Sequence, residues 1–141
     1  MNDYLQGESH LARFYTGSFR DPEAYRAKAR EVADRFHHDA RRRALSMLRP
    51  PSGAASLRLE RWLEEGGVFV TTGQQPGLFG GPLFSLYKAL TAVRLAQALE
   101  PVLDKPVLPL FWMASEDHDW EEASKSHLLD SENRIRTLEL P

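Results

Sequence analysis

The sequence of 141 residues contains no cysteine. Disulfide bonds, thiolate metal sites and a cysteine nucleophile are therefore excluded within these residues. The chain also lacks an excess of one charge, because 18 Lys and Arg residues against 20 Asp and Glu residues give a net charge of −2. Without a basic field, the composition does not indicate nucleic acid as a partner.

No segment has the pattern of a secretory signal or a membrane span. The first ten residues, MNDYLQGESH, have neither a basic flank nor an apolar core. The most apolar region, residues 78–99, is interrupted by two glycines, a proline, a lysine and an arginine. With 42% hydrophobic and 27% charged residues, the composition is typical of one soluble globular domain. We therefore expect a cytoplasmic protein with no membrane partner.

A βαβ pattern at residues 66–124 organises the chain. The apolar run Val68–Thr72 meets a glycine-rich loop, a helical pattern follows from Pro82 to about Leu99, and a second apolar run covers Val107–Met113. This order is typical of a parallel sheet, whose ligands bind outside the carboxyl ends of the strands. If the strands are neighbours, the polar residues that follow them face one cleft. Because the helix is apolar on several sides, we expect it to be largely buried.

The residues before this unit are predicted to be an arm and two helices. Residues 1–20 have scattered aromatic positions, which indicate an extended or irregular arm. Asp21 is a suitable N-cap for a helix that runs to about Arg49, before two prolines. Within it, the arginines at 41–43 are interpreted as a solvated face. A short helix is predicted over residues 56–65.

The residues after the unit, 125–140, predict a β-hairpin with buried Ile135, Leu138 and Leu140. The domains are therefore residues 1–65, 66–124 and 125–141. Only two parallel strands are accounted for, so the α/β core is incomplete and a larger protein is expected. A partner chain is the alternative source of the missing strands.

The loop TTGQQPGLFGGP holds the first candidate binding residues. It lacks the Gly-Lys-Ser/Thr of a Walker A motif, and only two of its glycines carry part of a GxGxxG spacing. Thr71, Gly73 and Gln74 are similar to the TxGH element of class I nucleotidyltransferases, with Gln74 in place of the histidine. A neutral amide would stabilise phosphates less well, whereas Gln74 and Gln75 suit hydroxyls, carboxylates or amides. The start of the following helix is a candidate anion site.

Four titratable residues, Glu116, Asp117, His118 and Asp119, follow the second apolar run. In an extended segment, Glu116 and His118 would share one side. Nearby carboxylates favour the imidazolium form of His118, which suits general acid–base catalysis. Alternatively, Asp117 or Asp119 caps a following turn or helix. A histidine and carboxylates could also bind a metal, but HxH and HExxH patterns are absent and no metal site is predicted.

Together, these two stretches resemble a known family. TTGQQPGLFGGPLFSLYK followed by VLPLFWMASEDHDWEE resembles the bacillithiol biosynthesis cysteine-adding enzymes, the BshC family. The resemblance is strongest over residues 66–122 and weak before residue 21. Because family members are much longer, it implies an N-terminal portion with a Rossmann-like core related to nucleotidyltransferases. The hairpin at 125–141 would begin an inserted connective-peptide domain, and a coiled coil associated with dimers would follow later.

The resemblance implies a carbon–nitrogen ligase. The activity would be the last step of bacillithiol synthesis, which joins L-cysteine to the amino group of glucosaminyl malate. An amide needs an activated carboxylate, so ATP is the expected cofactor. The implied partners are the two substrates and a second copy of the protein in a homodimer. We expect the 141 residues alone to be inactive.

The resemblance also implies site residues. His118 would assist proton transfer from the attacking amine, and Asp117 or Asp119 would orient its imidazole, with Glu116 completing the catalytic set. The substrate-binding set comprises Thr71, Thr72, Gly73, Gln74, Gln75, Gly77, Gly80, Tyr87 and Lys88.

Two other functions stay open. The first is a nucleotidyltransferase-like enzyme that binds a nucleotide at the TTGQQPG loop, which ATP–pyrophosphate exchange without glucosaminyl malate would favour. The second is a truncated chain that is inert or assembles only with a partner. Cooperative unfolding at low concentration would count against the need for a partner.

Overall fold

The computed structural model describes residues 2–7, 9–48, 53–116 and 119–141. The helices in these ranges are α1 (Asn2–Gln6), α2 (Pro22–Arg35), α3 (His38–Met47), α4 (Gly53–Glu65), α5 (Leu83–Leu103) and α6 (Trp120–Ala123), with 3₁₀ turns at Ser9–Phe14 and Leu78–Gly80. The strands are β1 (Val68–Gln74), β2 (Val107–Met113), β3 (Lys125–Leu129) and β4 (Ile135–Glu139). The order of helices, βαβ unit and hairpin is the one that the sequence predicts.

The strands β1 and β2 form a two-stranded parallel sheet. The backbone N–H of Val68 donates to the carbonyl of Pro106 at 3.0 Å, where both strands start. The N–H of Ala114 donates to the carbonyl of Gln74 at 3.2 Å, where both strands end. Because starts pair with starts and ends with ends, the strands are parallel and α5 is the crossover between them. The predicted βαβ unit is confirmed.

The chain forms two compact units, residues 1–68 with 97–108 and residues 69–96 with 109–141. The first unit holds most of the buried apolar side chains of the described residues: Leu59, Trp62, Leu99, Val107 and Leu108. The boundaries predicted at 65/66 and 124/125 rest on sequence pattern and stay a prediction.

The N-terminal arm contains helical turns, whereas an extended or irregular arm was expected. The helix α1 and the 3₁₀ turn that follows bring Tyr4 against Tyr15 and Phe19, with ring centroids 4.5 and 5.5 Å apart. These ring contacts stabilise the turns because aromatic pairs at such distances attract one another beyond the burial of their area.

The single helix predicted from Asp21 to Arg49 is wrong, because the chain forms two helices, α2 and α3. Asp21 caps α2 as predicted, since its carboxylate accepts the backbone N–H of Glu23 at 3.0 Å. The break lies at Phe36, whose φ of −115° and ψ of 74° do not fit a continuous helix. The helix α3 ends at Met47, and Arg49 lies outside the described residues.

Arg41 is buried, so the interpretation of a solvated arginine run is wrong for this residue. Its side chain donates to the carbonyl of Phe36 at 2.9 Å and to the carbonyl of Gly67, and its guanidinium lies 5.0 Å from the Trp62 ring centroid. Gly67 follows Gly66, whose φ of 72° ends α4. Burial lowers the pKa of Arg41, and the carbonyls and ring faces offset part of the lost hydration. The next two arginines are exposed, as predicted.

The helix α5 is largely exposed on one side, which contradicts the expectation of a buried helix. Its exposed apolar side chains are Leu83, Phe84, Leu86, Tyr87, Leu90 and Val93. The expectation assumed structure around the whole helix, but a two-stranded sheet is too narrow to surround 21 residues. None of the helices in the described ranges combines the length and apolar character that a bilayer crossing requires.

The strands β3 and β4 form the predicted antiparallel hairpin, with Lys125 opposite Glu139. The carboxylate of Asp130 fixes the turn by accepting the backbone N–H groups of Glu132 and Arg134, both at 2.9 Å. The side chains that were expected to be buried are exposed: Ile135, Leu138 and Leu140. Apolar residues in a strand pattern do not show whether other structure covers them, and Ile135 and Leu138 lie on opposite faces of β4.

Candidate functional site

The two polar motifs begin side by side at the carboxyl edge of the parallel sheet. Gln74 is the last residue of β1, and its carbonyl accepts from Ala114, the residue after β2. Glu116 lies two residues further on, in an exposed turn. This edge is where ligands bind in open α/β sheets. Asp117 and His118 lie outside the described residues, so their predicted roles are not placed in the structure.

Close backbone approaches require glycine at two positions of the loop. A Cβ atom on Gly73 would lie 2.7 Å from the carbonyl oxygen of Trp112, and one on Gly77 would lie 2.8 Å from the Cα atom of Gly81. Backbone atoms cannot rotate aside as a side chain can, so a larger residue would displace the loop. These approaches explain Gly73 and Gly77 structurally, and their contact with substrate stays a prediction.

The turn that leads into α5 passes through three successive residues with positive φ. The values are 54° at Phe79, 88° at Gly80 and 80° at Gly81. Glycine adopts this region freely, whereas a residue with a Cβ atom is disfavoured there by about 1–2 kcal/mol. Phe79 is 73% exposed, so burial of its ring does not offset this cost. The backbone of the loop is therefore strained at Phe79, immediately before the N-terminus of α5.

Two buried polar atoms lie in this region without a hydrogen-bond partner among the described residues. Ser85 is 6% exposed, its Oγ is unpaired, and a Cβ atom on Gly81 would lie 3.5 Å from that oxygen. The Oε1 atom of Gln75 is also buried and unpaired. Since most buried polar atoms are paired, these two atoms are candidates for ligand contact. Sequence reasoning missed Ser85, whose signal was a polar residue in an apolar first helical turn.

Lys88 reaches back from α5 to the end of β1. Its Nζ donates to Oε1 of Gln74 at 2.8 Å and to the carbonyl of Gly73 at 3.3 Å. Lys88 and Gln74 are 14 residues apart in the sequence, and this spacing does not show that their side chains meet. Side chains on a helix tilt toward its N-terminus, and the lysine side chain is long enough to cover this distance. The loop therefore has an ammonium group beside its neutral glutamine.

An open groove of about 370 Å³ runs along β1 and α5 in the second unit. Four residues of the predicted binding set line it: Thr71, Thr72, Tyr87 and Lys88. Its other lining residues are mostly apolar, and apolar walls with a few polar groups are typical of small-molecule sites. A cavity of about 420 Å³ in the first unit is larger, but it is lined by paired charges such as Arg61 and Glu65, 2.9 Å apart. We therefore place the candidate site at the groove and loop.

Asp119 has a structural contact in the acidic segment. Its carboxylate accepts the backbone N–H of Glu122 at 3.1 Å and so caps α6, which is the alternative that the sequence left open. The turn at Ser115 and Glu116 also departs from the extended geometry on which a shared side for Glu116 and His118 depended. Within the described ranges, no group of three or more His, Asp or Glu side chains could hold a metal ion. The catalytic roles stay predictions.

Two parallel strands, a crossover helix and a glycine-rich loop at the strand ends define a Rossmann-like unit. A family model described as the N-terminal Rossmann-like domain of bacillithiol biosynthesis BshC matches residues 1–141. The chain belongs to the BshC family, as its two motifs predicted.

Relatives named "Putative cysteine ligase BshC" are similar over most of the chain. The protein of Heliobacterium modesticaldum is 38% identical in an alignment 144 residues long, and 94% of this chain is covered. The protein of Solibacter usitatus is 40% identical over 138 residues, which cover 98% of this chain. Each alignment covers 26% of the relative, so the chain spans about a quarter of the length of these curated relatives. This coverage agrees with the predicted N-terminal portion.

Proposed function

We propose that the chain is the N-terminal part of a carbon–nitrogen ligase that adds L-cysteine to the amino group of glucosaminyl malate. The observation that carries the proposal is the family match over residues 1–141, supported by relatives named as cysteine ligases. The activity belongs to the whole protein, which we propose to be a homodimer. The 141 residues alone are proposed to be inactive, because they span only about a quarter of these relatives.

The loop and the start of α5 bind oxygen atoms of the malate part of the substrate. Malate has two carboxylates, and the free N–H groups of a helix N-terminus favour negative charge. Gln74 adds a side-chain amide at the end of β1, and the ammonium of Lys88 donates to the oxygen of that amide. The unpaired Oγ of Ser85 can donate to a malate oxygen, whereas the unpaired Oε1 of Gln75 can only accept and suits a hydroxyl or N–H group of the ligand.

The acidic segment assists the bond formation. The amino nitrogen of glucosaminyl malate attacks the activated carboxyl carbon of cysteine, the C–N bond forms, and the activating group leaves with its oxygen. His118 accepts the proton that the amine loses, and Asp117 or Asp119 orients the imidazole. ATP supplies the activation of the cysteine carboxylate in this proposal. The helix N-terminus also suits phosphate oxygens, so it is compatible with either ligand.

A mass-spectrometric assay tests the proposal. The complete reading frame that contains these residues is incubated with glucosaminyl malate, L-cysteine and ATP. The expected product is heavier than glucosaminyl malate by one cysteine residue, and its formation requires all three reactants. If no such product forms while the protein is folded, the ligase function is wrong.

The ammonium of Lys88 at the loop also supports a second candidate, a nucleotidyltransferase-like enzyme. Gln74 is neutral, but Lys88 places a positive charge 2.8 Å from its side chain, where a nucleotide phosphate could bind. This enzyme would exchange labelled pyrophosphate into ATP without glucosaminyl malate. Exchange that strictly requires glucosaminyl malate would argue against it.

A further inference from the structure

We infer that Lys88 is a positioning residue that fixes the direction of the Gln74 side-chain amide. An ammonium group has three donors and no acceptor, so Lys88 can bond only to the oxygen of that amide. Nζ and Oε1 lie 2.8 Å apart. Rotating the amide by half a turn would place its NH₂ group against the ammonium and would remove the bond. The chemistry of the pair therefore decides which end of the amide stays free.

Gln74 is held at its backbone as well as at its side chain. Its carbonyl accepts from Ala114 at 3.2 Å, and Lys88 also donates to the carbonyl of the preceding Gly73 at 3.3 Å. Among the described residues, the Nε2 group of Gln74 has no hydrogen-bond partner, and the residue is only half-buried. The loop thus presents an N–H donor that is already ordered before a ligand binds. Binding therefore loses less side-chain conformational entropy.

The direction of the amide selects the chemical class of ligand group. A free glutamine offers either its oxygen or its nitrogen, whereas in this one Lys88 occupies the oxygen and the N–H donors face outward. It therefore favours a carboxylate or hydroxyl oxygen over an ammonium or amide N–H group. This inference rests on the proposed function, in which the selected group is a carboxylate of the malate part.

Calorimetric titration of the complete protein with L-malate tests the inference alongside steady-state kinetics. We expect Lys88→Met and Gln74→Ala each to weaken malate binding about tenfold. The double variant should bind within about twofold of Gln74→Ala, because Lys88 acts through Gln74. Lys88→Arg keeps a donor and a charge, so it should restore most of the affinity. Lys28→Met, on an exposed lysine of α2, is the matched control and should have no effect.

The kinetics should show a higher KM for glucosaminyl malate with little change in kcat or in the KM for cysteine. If the losses of malate affinity in the two single variants multiply in the double variant, Lys88 contacts the ligand directly. This result would overturn the inference. A lowered melting temperature for Lys88→Met without rescue by Lys88→Arg would mean a structural role and would also overturn it.

The two proposals can fail separately in this experiment. Malate binding with the expected double-variant behaviour, but without a cysteine adduct, contradicts the ligase function and supports the role of Lys88. If the cysteine adduct forms but the losses of malate affinity multiply in the double variant, only the role of Lys88 is contradicted. A folded protein that neither binds L-malate nor forms the adduct overturns both.

Discussion

The Arg41 side chain joins the break between α2 and α3 to the end of α4 through the carbonyls of Phe36 and Gly67. We expect Arg41→Ala to lower the free energy of unfolding by about 2–3 kcal/mol, because two carbonyls lose their donor and the Trp62 ring loses its contact. Arg42→Ala removes an exposed arginine and should change the free energy of unfolding by less than about 0.5 kcal/mol. Urea unfolding, monitored by tryptophan fluorescence, measures the free energy of unfolding of both variants. Equal losses in Arg41→Ala and Arg42→Ala would contradict the assigned role of Arg41.

Asp130 links the stability of the hairpin to pH. Hydrogen bonds from the backbone N–H of Arg134, then from Arg136 and Glu132, lower its pKa below the ordinary 3.8. Because the pKa is lower in the folded state, the stabilisation is fully present above the unfolded value and is lost as the pH falls through the folded one. Carbon-13 NMR of the carboxylate should therefore give a pKa below 3.8.

The Asp130→Asn variant is the control for this pH dependence. It should remove the part of the hairpin's stability change that occurs in acid, as judged by the dispersion of hairpin amide signals. An Asp130 pKa at or above its ordinary value, or an unchanged acid response in Asp130→Asn, would contradict the hydrogen-bond pattern.

Asp119 is the residue at which capping and catalysis can be separated. Asp119→Ala removes the cap of α6 and should destabilise the protein by about 1 kcal/mol. Asp119→Asn keeps a capping oxygen and removes the charge, so its melting temperature should stay close to wild type. If Asp119 orients His118 through its charge, Asp119→Asn should still lose turnover in the complete protein. Full activity in Asp119→Asn would limit this residue to its cap.

At the scale of the elements, the loop between β1 and α5 depends on the close approach of Gly77 to Gly81. We expect Gly77→Ala to destabilise the protein by about 1–3 kcal/mol, because the new Cβ atom would lie too close to backbone. Gly53→Ala is a suitable control, since a Cβ atom at that helical position meets nothing within 4 Å. Thermal unfolding compares the two variants, and a neutral Gly77→Ala would show that the loop is looser than described.

The βαβ unit and the hairpin were predictable because local patterns determine them. Apolar runs, glycines and turn residues occur within short windows of sequence. The break at Phe36 was not predictable, since the apolar spacing continues through it. The exposure of α5 and of Ile135 was also missed, because burial depends on what covers a face rather than on the pattern of that face.

The candidate site was predictable in position but not in contacts. The rule that ligands bind at the carboxyl ends of parallel strands located Gln74 and Glu116 at one edge. The bond between Lys88 and Gln74 depends on side-chain length and tilt, which residue spacing does not include. The burial of Ser85 and Arg41 depends on residues that are distant in sequence from them.

At the scale of the whole molecule, the length of the chain and its exposed apolar surface belong together. It spans about a quarter of the relatives it matches, and α5 has a row of exposed apolar side chains, from Leu83 to Val93. Exposed apolar patches are typical of surfaces that contact other protein structure. The loop at the end of β1 is therefore best tested in the complete protein.

Whether the loop at the end of β1 binds substrate is tested by the rate of cysteine addition at increasing concentrations of glucosaminyl malate. The complete wild-type protein is compared with Gln74→Ala and with Gln97→Ala, an exposed glutamine outside the loop. We expect Gln74→Ala to lower kcat/KM for glucosaminyl malate by about tenfold or more, while Gln97→Ala matches wild type. Equal rates for all three proteins would contradict a substrate-binding loop at the end of β1.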